Sequence, residues 1–171
     1  FYVRQDWLDA LGLGKAEDIK TYDQVYNAIT AMKVNMSNNE YNKGEIFPFM
    51  IMSVVETYQG VFFSGMDITV YTSSMTYPRV IDGKVEFCGT TADDKEAMTL
   101  LSSWYSEGLI SPNYSSFVAG EDYDAGQHDD GVGCYILNVS SVVESENNSK
   151  NPNCRWDPIP RTKRTEDQVL K

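Results

Sequence analysis

The side chains that could do chemistry in this sequence are few. Its single histidine, His128, lies among Asp124, Asp129 and Asp130 in a glycine-bearing loop. A nucleophilic triad needs a base beside an activated nucleophile, and no G-x-S-x-G elbow accompanies it. His128 therefore reads as an exposed, non-catalytic side chain ahead of a metal ligand or a base. The Asp122-Tyr123-Asp124 pair begins like a calcium loop but lacks the later, spaced carboxylates of an EF-hand. Two carboxylates could serve glycoside hydrolysis, yet among 25 acidic residues their presence selects nothing without a known separation. Neither a glycine-rich lysine loop nor a G-x-G-x-x-G after a strand is present to hold a nucleotide.

The aromatic residues carry more information. Eleven tyrosines and three tryptophans are spread along the chain, many near the ends of elements. Flat rings with polar edges suit the C–H faces and hydroxyls of sugars. Trp7 follows directly on an opening strand, the place where open α/β domains bind ligands. Tyr58, Tyr71 and Tyr77 are further candidates for such a face, although half-buried packing explains tyrosine equally well. Trp104 lies on a helix stripe and reads as core.

These residues must be positioned by a chain in which short strands run into helices. Phe1 to Arg4 alternates like a strand and leads into a short helical pattern, Asp6 to Leu11, stopped by Gly12 and Gly14. Thr21 and Gln24 form a capping-box pattern before Val25, Ile29 and Met32, which share one helical face. Ser37 to Glu45 is polar and reads as a loop, after which Pro48 suits the first turn of a helix running to Phe63. Val70 to Thr72 is strand-like. Arg79–Ile81 and Lys84–Phe87 flank Asp82-Gly83, a pair that tolerates positive φ, and predict a hairpin. Thr91 caps a further helix with Ala97, Leu100, Leu101 and Trp104 on its core stripe, ended by Gly108 and Pro112. Val132 to Leu137 suits a buried strand, with Asn138 and Ser140 at the next strand-to-helix junction and Ser140 as its cap. Ser145 to Asn153 reads as a loop, and Trp156 to Pro160 as extended because each residue before proline is pushed out of the helical region. Strands interspersed with helices predict one α/β layered domain over residues 1–171, without repeats.

Composition narrows the partners. With 42% hydrophobic and 23% charged residues the chain is an ordinary globular one. Its formal charge of −11 repels phosphate backbones and anionic lipid surfaces, so nucleic acid is excluded as a partner. No apolar run approaches the ~20 residues that span a bilayer. Cys88, Cys134 and Cys154 stand far apart with no C-x-x-C spacing, so no zinc ribbon and at most one disulfide is implied. Sequons at Asn35, Asn113, Asn138 and Asn147 are expected by chance in an Asn- and Ser-rich chain.

Four segments, in order, resemble the extracellular solute-binding proteins of family 1, the sugar- and oligosaccharide-binding lipoproteins of ABC importers. Tyr2-Val3-Arg4-Gln5-Asp6-Trp7-Leu8 through Leu13 is similar to the family's entry into its second lobe. Thr21-Tyr22-Asp23-Gln24 resembles its capped helix, Asp82-Gly83-Lys84-Val85 its hairpin, and Tyr105 to Pro112 its helix end. The resemblance implies one lobe of a type II periplasmic-binding-protein-like fold, a binding function without catalysis, and a carbohydrate-like ligand. No cofactor and no metal are expected. Arg4 and Asp6 would hydrogen-bond hydroxyls, Trp7 would stack on a pyranose, and Asn138 and Ser140 would line the cleft, Ser140 offering helix N-terminal amides. Arg4 and Asp6 could equally pair with each other or cap the helix. The implied setting is extracellular and lipid-anchored, with ABC permease subunits as partners. Ser37 to Glu45 stands where relatives carry a calcium loop but holds few carboxylates, which argues against a tight site. A polysaccharide hydrolase fragment and a surface interaction domain are the alternative readings.

Overall fold

Thr21 opens the first long helix by the reciprocal bonding that its sequence prescribes. Its hydroxyl accepts from the Gln24 amide at 3.3 Å, and the Gln24 side chain accepts from the Thr21 amide at 3.0 Å. In the computed structural model, which describes residues 1–51, 62, 63, 65, 66, 79–87, 91–114, 130–135 and 139–170, this helix is α2, Tyr22–Met36. It follows strand β1, Tyr2–Arg4, and the short helix α1, Gln5–Leu11, which ends on Gly12 at φ 66°. Val25, Ile29 and Met32 are all buried along α2, as their spacing requires.

The hairpin forms where Asp82-Gly83 places it. Strands β2, Arg79–Ile81, and β3, Lys84–Glu86, pair antiparallel with Val80 opposite Val85. Both turn residues have positive φ, 49° and 78°, the backbone that a tight two-residue turn demands. Helix α3, Ala92–Ser106, starts at a second capping box, Thr91 with Asp94, and buries Ala97 and Trp104. Gly108 follows at φ 71°. Helix α4 spans Val139–Asn148 and strand β5 Trp156–Pro158.

The larger sheet has the order β4-β1-β5, with β4 at Cys134–Tyr135. Both pairings are antiparallel: Val3 lies opposite Cys134 on one side and Asp157 on the other. The opening strand is thus central, flanked by two strands from the far end of the chain. Phe49 adds a parallel bridge to Cys134, and the Pro48 carbonyl accepts from the amides of both Gly133 and Cys134. Gly133 is required there because a Cβ would meet Met32 Sδ at 2.6 Å and the Trp7 ring at 3.1 Å.

The larger of two apolar clusters among the described residues holds stacked and edge-on rings, and a smaller one gathers Met50, Val132, Tyr135 and Trp156. Phe49 lies 4.9 Å from both Phe62 and Trp104, and 5.7 Å from Phe1. Such pairs add about 0.5–1.5 kcal/mol each beyond the area they bury.

Three expectations are corrected. Pro48 does not start a helix: residues 48–51 are extended, because the Phe49 backbone pairs with β4 and its ring is drawn into the aromatic core. Ser145 to Asn148 is helical, because Ser145 is buried on the inner side of α4, and the loop begins only at Ser149. Ser140 lies within that helix, which starts at Val139, so it is not the cap. The proposed strand at residues 70–72, the helix over residues 52–61 and the acidic loop with His128 lie outside the described residues.

Candidate functional site

The sheet order brings Arg4, at the end of the central strand, beside β5 and the turn before β4. Arg4 is wholly buried. Its Nη2 lies 2.7 Å from Asp6 Oδ2 and 2.6 Å from Asp130 Oδ1, and its Nε donates to Asp6 Oδ1 at 2.8 Å. The guanidinium also stands over the Trp7 ring at 4.6 Å and near Trp156 at 5.7 Å. Burial works against its charge, but the hydrogen bond and charge of Asp6, with the charge of Asp130, outweigh it and raise its pKa.

The two carboxylates differ. Asp130 is almost fully enclosed, sits at φ 58°, and is held by the Asn39 and Asn151 side-chain amides at 3.3 Å each. Asp6 is the open member, its side chain 12% exposed, and also accepts from Asn151 and from the Arg155 amide. The cluster therefore ties together β1, α1, the turn at 130, the loop after α4, and the loop that follows α2. Two buried donors, Arg4 Nη1 and Trp156 Nε1, find no hydrogen-bond partner among the described residues.

The stacking role expected of Trp7 is not available to it here. The indole is 2% exposed, packed between Arg4 and the bare backbone of Gly133 inside the main core. The strand exits so that the first turn of α1 faces inward, which buries Trp7 and Leu8 together. Arg4 and Asp6 pair with each other, one of the two readings left open by sequence. Ser140 is exposed at the start of α4. Tyr58, Tyr71, Tyr77 and Asn138 lie outside the described residues. Sequence reasoning missed Asp130, Asn151 and Trp156: neither spacing nor motif links them to Arg4, and only the antiparallel register of β5 on β1 brings Trp156 opposite it.

The loop at 37–45 is closed by amides. Asn39 Oδ1 accepts from the backbone of Tyr41 and Asn42 at 2.7 Å, and Asn42 Oδ1 from Gly44 at 2.8 Å. Asn42 Nδ2 donates to the Asp130 carbonyl at 3.3 Å, so backbone amides engage the Asn39 and Asn42 side-chain oxygens and a side-chain amide engages that carbonyl. Cys134 and Cys154 are both free thiols. No helix among the described residues is long and apolar enough to cross a membrane.

The fold is that of a stretch of an ABC-transporter solute-binding protein. It matches the substrate-binding protein FusA of S. pneumoniae, solved as an EF-hand mutant in complex with fructo-nystose, at a TM-score of 0.66 and 24% identity. That match covers 93% of this chain and 30% of the other. FusA in complex with kestose aligns at TM-score 0.60 and 25% identity, over 77% of this chain and 26% of that one. An HMO-binding, ABC-transporter-associated solute-binding protein from Bifidobacterium longum infantis aligns at TM-score 0.60 and 20% identity, over 77% and 28%. The chain thus spans less than a third of the length of the structures it matches. No family model and no curated protein matches the sequence.

Proposed function

We propose that the chain is the ligand-facing lobe of an extracellular, lipid-anchored solute-binding protein that delivers a carbohydrate-like solute to an ABC permease by hinged closure, without catalysis. The observation that carries this reading is the fold correspondence over 93% of the chain with a protein solved in complex with fructo-nystose. The paired strands β1 and β5 are the crossing strands of the hinge. Asp6 is a polar group of the Arg4 cluster that reaches the surface, and Arg4 acts through it as a positioning residue. Asn138, which precedes α4 in sequence, and Ser140 in its first turn are candidates for polar contacts to the solute, and Tyr58, Tyr71 and Tyr77 are the candidates for the ring-stacking face that Trp7 does not provide. A hydrolase fragment is disfavoured because Asp6 and Asp130 are both engaged by one guanidinium instead of facing each other across a groove.

An interaction module is a second reading, favoured by the exposed valine pair Val80 and Val85 on the hairpin. Two three-residue strands offer far less than the roughly 800 Å² per partner of a standard interface, which leaves it second.

The test is a thermal-shift screen of the full-length protein against mono- and oligosaccharides, amino acids and peptides. A sugar at a hundred times its Kd adds about 2.7 kcal/mol of stability. Shifts with peptides or amino acids and none with any sugar would overturn the substrate class.

A further inference from the structure

Beyond β5 the chain runs past the starts of α2 and α3, and its means of attachment changes along the way. Up to Thr162 it is anchored by burial: Ile159 and Thr162 are enclosed, and the Ile159 amide donates to the Phe1 carbonyl at 3.0 Å. Lys163 then makes one backbone bridge beside Thr21, donating to Lys20 and accepting from Tyr22. From Arg164 onward no apolar side chain is buried, and attachment is by polar side chains.

Arg164 is the centre of that attachment. Its Nη2 lies 2.8 Å from both Asp93 and Glu96 on the first turns of α3, and its Nη1 donates to the Gly65 carbonyl. Gln168 donates to the same carbonyl at 2.8 Å and accepts from the Arg164 amide at 2.7 Å. Glu166 accepts from Gln24, the capping residue of α2, at 3.0 Å. The segment runs so close over Gly65 that a Cβ there would meet Lys163 Cα at 2.7 Å.

We propose that residues 163–170 are a polar strap, latched by Arg164 to α3, that opens as a unit about the buried Thr162 while the β4-β1-β5 sheet stays folded. Closed, the strap links the chain after β5 to the starts of α2 and α3; open, it leaves both helices held by their buried apolar side chains. Segments held by few buried apolar contacts open at far lower free energy than the global fold. The ion pairs are one-third to one-half exposed, so added salt weakens them. The device stands on the fold alone and is independent of any solute.

Hydrogen exchange read by mass spectrometry tests it on this chain. Arg164→Gln at low salt is expected to speed exchange of peptides within 163–170 about fivefold, the ratio set by an interaction of this class, with peptides from β1 and α1 unchanged. Raising salt on the unsubstituted chain acts in the same direction, and Arg164→Lys, which keeps the charge beside Asp93 and Glu96, retains more protection than Arg164→Gln. Unchanged exchange in 163–170 after Arg164→Gln would overturn the latch. An equal rise in β1 would overturn it too, since Arg164 would then hold the whole fold.

Discussion

Arg4 balances the charge of the polar cluster at the end of the central strand. It neutralises one of two carboxylates that are themselves largely enclosed, and removing it leaves both without a counter-charge. Arg4→Met is expected to cost about 3–5 kcal/mol, read as a lower urea midpoint. Combining it with Asp130→Asn recovers part of the loss, because the second substitution removes the stranded charge, and a double-mutant cycle measures that coupling. Two other buried residues make stability sensitive to alkaline pH. Burial pushes the Cys134 thiol from 9.0 up to about 12 and the Tyr22 phenol from 10.0 up to about 12. Both keep their protons in the folded chain while the unfolded chain releases them above the ordinary values. Their contribution is therefore full below pH 9 and declines as pH rises from there toward 12. Denaturation midpoints measured from about pH 8 to about pH 11 should fall, and Cys134→Ala should flatten the first part of the decline.

At the scale of elements, the loop between α2 and Phe49 is informative because amides stand where a calcium loop would carry carboxylates. Asn39 and Asn42 close the loop on themselves and on Asp130. Calcium or a chelator should consequently leave the melting temperature unchanged, whereas Asn39→Ala should lower it by removing the two backbone acceptances and the link to Asp130. A calcium-dependent rise in melting temperature would contradict this account. The capping boxes at Thr21 and Thr91 belong to the same scale. Each satisfies helix-end donors by residues three apart in sequence, which is why the box at Thr21 and the hydroxyl cap at Thr91 were readable from the sequence, whereas the reciprocal bond of Asp94 was not read there.

For the whole molecule, cohesion rests on rings from distant parts of the chain. Phe1, Phe49, Phe62 and Trp104 meet in one cluster. Phe49→Ala is expected to cost about 3–5 kcal/mol, on the order of 10 °C in melting temperature for a domain of this size. Differential scanning calorimetry checks it. A shift no larger than that of an exposed substitution such as Val34→Ala would show that the cluster contributes little.

What the sequence determined by itself was whatever depends on neighbours within a few residues. Helix starts at Thr21 and Thr91, the Asp82-Gly83 turn, the glycine stops at Gly12 and Gly108, and the buried stripe of α2 all follow from local propensity, capping and periodicity. The resemblance to solute-binding proteins was legible for the same reason, since it rests on short ordered segments. Only the tertiary structure decided which strand is central, that Pro48 leads into an extended pairing with β4, and that Trp7 is core. It also decided that Arg4 meets Asp130 and faces Trp156. These depend on contacts between residues more than eighty positions apart, and a side chain such as Trp7 has the same local signal whether its exposed face is later covered or left open.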